Sequence, residues 1–181
     1  MPQKEMVFLN GKSCAFTGHR PHKLPWKYDE TDSRCIMLKK ILDHQIEILV
    51  NEGVTSFFSG MAEGVDQWAA SSVLAQRVKN PTLSLHCILP WKGQEEKWSQ
   101  AARKHYQEIL RQADTVTYMA QEFQKDCLLN RNHCLVDLTA ILLAVYKGEW
   151  RGGTAATIRY AKSVGREIII IDPLTLDVFH F

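Results

Sequence analysis

The chain reads as an α/β protein: a single Rossmann-like, doubly wound domain around a mainly parallel sheet. Three observations predict this. Strand-like and helix-like segments alternate from end to end. Stretches such as Ile168 to Ile171 are apolar without interruption, as expected of strands covered on both faces. Glycine-containing turns follow several of the strands, where such folds build their sites.

The elements follow in order. Ser13 to Thr17 is a first strand, and residues 18 to 31 form a loop marked by Pro21 and Pro25. Asp32 or Ser33 caps a helix in which Leu38, Ile41, Leu42, Ile46 and Leu49 recur at helical spacing, up to Gly53. Val54 to Ser59 is the second strand. A helix from Val65 to Lys79 follows, burying Trp68, Ala69, Val73 and Ala75. Leu83 to Leu89, ended by Pro90, is the third strand. The next helix, Glu95 to Gln112, has Trp98, Ala102, Tyr106, Ile109 and Ala113 on its inner stripe. Thr115 to Met119 is a fourth strand, Leu128 to Asp137 a helix, and Ala140 to Tyr146 a fifth strand. Thr154 to Val164 is the last helix, and Glu167 to Ile171 a sixth strand. No repeat or linker divides the 181 residues, so they are read as one domain, residues 1–181, with its core at 13–172.

Composition narrows the function. A net charge of +2, with no block of five or more Lys or Arg, argues against general nucleic-acid affinity. No apolar run approaches the roughly 18 residues of a membrane span. Met1 to Lys12 lacks an apolar core of signal-peptide length. The expectation is a soluble, cytoplasmic protein. The five cysteines, Cys14, Cys35, Cys87, Cys127 and Cys134, are odd in number and show no Cys-x-x-Cys pair, so they read as reduced thiols. The seven histidines lack metal-ligand spacing. No metal and no cofactor is assigned.

Three strand-end loops carry the candidate site. After the first strand comes Thr17-Gly18-His19-Arg20-Pro21. After the second comes Ser59 to Asp66, with Gly60, Glu63 and Gly64. After the fifth comes Gly148 to Thr157, with Gly152-Gly153-Thr154 opening a helix. Glycine admits an anion close to the backbone, and a helix start offers unpaired N–H groups and the positive end of its dipole. Arg20 suits a bidentate phosphate contact. His19 suits a hydrogen bond or proton carrier, or a loop cap. Asp66 suits a sugar hydroxyl or a helix cap. Thr154 and Thr157 add hydroxyls. Arg131 either enters the cleft or lies on a solvated helix face. Trp91 and Trp98 either flank a base or pack in the core. Cys14 and Arg20 have the spacing of cysteine phosphatases, but Ala15 to Thr17 continue the strand and bury the thiol.

Taken together, Thr17 to Pro21, Gly60 to Asp66, Pro90-Trp91, Arg131-Asn132 and Gly152-Gly153-Thr154-x-x-Thr157-x-x-Tyr160-Ala161 resemble the YpsA-like proteins of the SLOG superfamily, over residues 13 to 172. That superfamily also holds the LOG cytokinin-activating enzymes and the DNA-processing protein A family. The resemblance implies a Rossmann-like sheet, a pocket for a nucleotide or nucleotide-derived ligand, and a homodimer as a plausible assembly. LOG enzymes cleave the base from nucleoside monophosphates with a Gly-Gly-x-Gly-Thr-x-x-Glu motif; here Arg159 and Tyr160 stand where the acid is expected. Gly153 to Thr157 is closer to the DNA-processing branch, which binds single-stranded DNA. Three functions therefore compete: binding or sensing of a nucleotide-like phosphate, N-glycosidase action on a nucleoside 5'-monophosphate with Glu63, Asp66 or His19 as catalytic candidates, and single-stranded DNA binding. Whether the protein is an enzyme stays open at this point.

Overall fold

The computed structural model describes residues 13–181. The segment read above for a signal peptide, Met1 to Lys12, lies outside the described residues. Seven strands form one sheet: β1 (Ser13–Gly18), β2 (Ser56–Ser59), β3 (Ser84–Leu89), β4 (Thr115–Tyr118), β5 (Ile141–Val145), β6 (Glu167–Ile171) and β7 (Val178–His180). Their spatial order is β4-β3-β2-β1-β5-β6-β7. All neighbours pair in parallel except β6 and β7.

Among the described residues, five α-helices cover the sheet: α1 (Ser33–Asn51), α2 (Val65–Arg77), α3 (Gln100–Gln112), α4 (Cys127–Asp137) and α5 (Gly153–Ser163). Alternation along the strands sorts side chains between two cores. Phe16, Phe57, Leu85, Leu143 and Ile169 face one layer, with Leu38 and Leu42 of α1, Ala69 and Val73 of α2, and Tyr106 and Ile109 of α3. Ala15, Phe58, Leu142 and Ile168 face the other, with Leu135 and Val136 of α4 and Ala161 of α5. Two covered faces explain why β5 reads as an unbroken apolar run.

The chain winds outward from β1 through β2, β3 and β4. It then returns to the other side of β1 with β5. The strand order therefore reverses between β1 and β5, whose register runs from Cys14 opposite Ile141 to Gly18 opposite Val145. A crevice at the carboxyl ends of these two strands is the expected ligand position.

Three elements depart from expectation. Residues 173–181 were read as lying beyond the core, yet β7 pairs antiparallel with β6. A turn in which the Asp172 carboxylate accepts from Leu174 N–H at 2.7 Å brings it back. With three half-exposed or exposed residues, β7 has no periodic signature to read. Second, α3 starts at Gln100 rather than Glu95. The Ser99 hydroxyl caps it, accepting from Ala102 N–H at 3.2 Å. Third, of the two readings left open for Trp91 and Trp98, packing against other side chains is the one found, not the flanking of the crevice. Trp91 packs edge-on against Phe123, and Trp98 against the buried Tyr106. Asp32, by contrast, caps α1 through Arg34 N–H at 2.8 Å.

Candidate functional site

At the β1/β5 crevice lies a cleft of about 430 Å³. Thr17, Gly18, His19 and Arg20 of the β1 loop, Ala62 before α2 and Asp66 in its first turn, Arg131 and Asn132 of α4, and Arg151 to Thr154 at the start of α5 all line it. The two loops are stitched together across the switch point. His19 N–H donates to Val145 O at 3.3 Å, and Lys147 N–H donates to the His19 ring Nε2 at 3.2 Å.

The β1 loop approaches α2 because glycine permits it. A Cβ on Gly18 would sit 2.6 Å from the Val65 side chain. Gly64 has φ +96° and caps α2. Between them Met61, fully buried, is held in the left-handed region at φ 57°. Its N–H donates to Ser59 Oγ at 3.1 Å, and its carbonyl accepts from Gln67 Nε2 at 3.3 Å. Strain of this kind persists only where surrounding contacts over-determine it, and it clusters at functional sites.

On the far wall, Gly152 at φ +113° turns the chain into α5. Among the described residues, no side chain caps this helix. The N–H groups of Gly153, Thr154 and Ala155 are the orphan donors of its first turn, beside the positive end of the dipole. The Arg20 guanidinium has no hydrogen-bond or ion-pair partner among the described residues. Arg131 is buried in α4; it donates through Nη1 to Gly60 O and through Nε to Asn132 Oδ1 at 2.7 Å. A Cβ on Gly60 would collide with that guanidinium, so glycine there makes room for Arg131.

Asp66 is the carboxylate of the wall. Its Oδ2 accepts from Ala62 N–H at 3.2 Å. Burial pushes its pKa above the usual range, opposed by Arg131, by the Ala62 N–H and by Arg20. Burial also pulls His19 below its ordinary value; Glu149 opposes this, while Lys147 and Lys23 add to it. His19 is thus neutral near pH 7. Because Nε2 accepts, the ring proton is on Nδ1.

Not every candidate reaches the cleft. Gly60 and Gly64 stand behind the wall. Glu63 is half-exposed beside it, and burial raises its pKa while Arg20 lowers it. Thr157 is buried, and its hydroxyl donates to Gly153 O at 2.8 Å, which ties down the first turn of α5 instead of facing an anion. Cys14 lies fully buried within β1, and burial raises its thiol far above the ordinary value, so no phosphatase nucleophile is present there. Four wall residues carried no motif: His22, Lys23, Leu128 and Arg151. Only proximity to the glycine turns hinted at the cations among them.

Fold and site together define a Rossmann-like α/β protein with a cation-rich cleft at the carboxyl-end switch point of a parallel sheet. The YpsA family model, described as the YspA SLOG family, matches residues 14–176, and the chain belongs to this family. It is similar to a UPF0398 protein of Bacillus cereus (strain B4264), 32% identical over 158 residues, covering 85% of this chain and 84% of the relative. A UPF0398 protein of Bacillus thuringiensis (strain Al Hakam) matches with the same identity and coverage. Among solved structures, DNA processing protein A from Helicobacter pylori, described for its single-stranded DNA binding mode, superposes with a TM-score of 0.60. That match is 17% identical and spans 90% of this chain and 66% of the other, and the likeness is one of fold. Among the described residues, no helix is long and apolar enough to cross a membrane.

Proposed function

We propose that the protein is a one-domain, cytoplasmic binder or sensor of a nucleotide or nucleotide-derived phosphate, held at the carboxyl edge of the sheet. One observation carries the reading. The α5 N–H groups and the Arg20 guanidinium, neither with a side-chain partner among the described residues, line the same cleft at the β1/β5 switch point. Gly152, Gly153 and Thr154 receive the phosphate, Arg20 clamps it, and Arg131 adds a fixed positive charge from below. Asp66 accepts from the ribose hydroxyls. The free cysteines suit a reducing compartment.

Ligand binding is tested by thermal unfolding against a panel of nucleoside monophosphates and phosphosugars. Ligand at about one hundred times Kd adds about 2.7 kcal/mol, roughly 5–10 °C in a chain of this size. Native mass spectrometry of the purified protein adds a search for a co-purified small molecule. If no compound of the panel raises Tm, the reading fails.

Asp66 supports a second reading, N-glycosidase action on a nucleoside 5'-monophosphate. Cleavage develops positive charge on the ribose, which a carboxylate stabilises. The wall holds Asp66, while Glu63 flanks it and the His19 Nδ1–H is free to donate a hydrogen bond to the base. This reading expects free base from wild type and none from Asp66→Asn. The DNA-binding neighbour and the cationic rim support a third reading, single-stranded DNA binding, which expects a salt-sensitive oligonucleotide shift.

A further inference from the structure

Trp150 is 80% exposed. It lies on the β5–α5 loop, two residues before the Gly152 turn. A shallow second concavity, lined by Lys23, Glu149, Trp150, Arg151 and Gly152, opens beside the cleft. It shares Lys23, Arg151 and Gly152 with the cleft wall, so the two are continuous. A molecule seated on the Gly152 turn can therefore extend to the indole.

The loop that presents the indole is braced. The Tyr146 hydroxyl donates to Glu149 O. Lys147 Nζ donates to Lys23 O at 3.2 Å and pairs with the Glu149 carboxylate at 2.9 Å. Arg159 Nη1 donates to Trp150 O at 2.8 Å, and its guanidinium lies 5.7 Å from the indole centroid. These bonds fix the backbone that carries Trp150, and the Arg159 guanidinium covers one face of the indole, which lowers the ordering cost of stacking a flat partner on the other.

We propose that Trp150 is the base platform of the site: the nucleobase of a purine nucleoside monophosphate stacks on the outer indole face while its phosphate sits on the Gly152–Thr154 turn. A purine offers the larger stacking area of the two base classes. This rests on the phosphate-binding reading above, and the experiment separates the two.

Titration calorimetry on the full chain compares adenosine 5'-monophosphate, guanosine 5'-monophosphate, uridine 5'-monophosphate and ribose 5-phosphate, with wild type, Trp150→Ala and Trp150→Phe. Base–aromatic stacking predicts that wild type binds the purine nucleotides about ten-fold or more tighter than ribose 5-phosphate. Uridine 5'-monophosphate falls between them. Trp150→Ala removes that advantage and leaves ribose 5-phosphate affinity unchanged; Trp150→Phe keeps most of it. Purine binding quenches indole fluorescence in wild type and not in Trp150→Ala. Because the side chain is exposed, both variants keep the wild-type Tm. Equal affinity for all four compounds, or purine preference surviving Trp150→Ala, overturns the platform while leaving the phosphate site standing. Binding of none of the four overturns both. Binding only of a single-stranded oligonucleotide, with Trp150→Ala weakening it, replaces the mononucleotide with a nucleic acid strand and also overturns the proposal.

Discussion

Arg20 and Arg131 do different work although both line the cleft. Arg20 is half-exposed and has no partner among the described residues, which leaves it able to close on a phosphate. Replacing it with alanine leaves the fold intact and lowers phosphate-ligand affinity by about ten-fold or more, since charge-assisted bonds are worth about 1.5–3 kcal/mol; calorimetry reads this directly. Arg131 is fixed by Gly60 O and Asn132. Gly60→Ala drives a Cβ into that buried guanidinium and breaks its bond to Gly60 O, so Tm and ligand affinity both fall. His19 gives a pH signature. Its folded pKa lies below the unfolded value near 6.5. Between the two, the unfolded chain holds a proton that the folded chain refuses, so stability is complete above about pH 6.5 and is lost as pH falls toward the folded pKa. His86 shifts in the same direction. His19→Gln therefore flattens the acid slope of Tm without abolishing it, and a slope equal to that of wild type would refute the buried neutral imidazole.

At the scale of elements, the start of α5 separates architecture from function. Gly152 is at φ +113°, a conformation that strains any side chain. Gly152→Ala costs about 1–2 kcal/mol, and a denaturation midpoint reads it. Gly153 is helical, and a Cβ there has open room, its nearest neighbour being Asn132 Nδ2 at 4.0 Å. Gly153→Ala leaves stability unchanged or raises it by up to about 1 kcal/mol, because alanine is the better helix former. The added methyl stands where a phosphate would approach, so ligand binding falls. Stability and binding thus move independently at adjacent residues. Much of this element was legible: two glycines and a threonine between an apolar run and a periodic one mark a strand, a turn and a helix start. The direction of Thr157 was not, since a hydroxyl four residues into a helix bonds its own backbone as readily as a ligand. Nor was β7, a three-residue edge strand whose pairing comes from the Asp172 turn.

For the molecule as a whole, sheet topology turns distant segments into one site. Arg20, Asp66, Arg131 and Gly153 are spread through the chain, yet the reversal of strand order at β1 and β5 gathers them. The sequence pattern revealed the parallel sheet through its buried runs, and the strand-end rule then selected the loops. What it could not reveal was the cationic side wall, because Lys23 and Arg151 look like ordinary surface residues until the loops meet. A cleft this rich in cations binds its anion less tightly as salt screens the charges, so affinity for a nucleoside monophosphate falls several-fold between 50 mM and 500 mM salt, roughly two Debye regimes. The central claim is that an anion rests on the first turn of α5 opposite Arg20. A crystal structure of the protein grown with guanosine 5'-monophosphate tests it most directly. The expected result is a phosphate in the cleft that accepts hydrogen bonds from the Gly153 and Thr154 N–H groups and from Arg20. Phosphate density anywhere else on the molecule, or an empty cleft at saturating nucleotide, would contradict it.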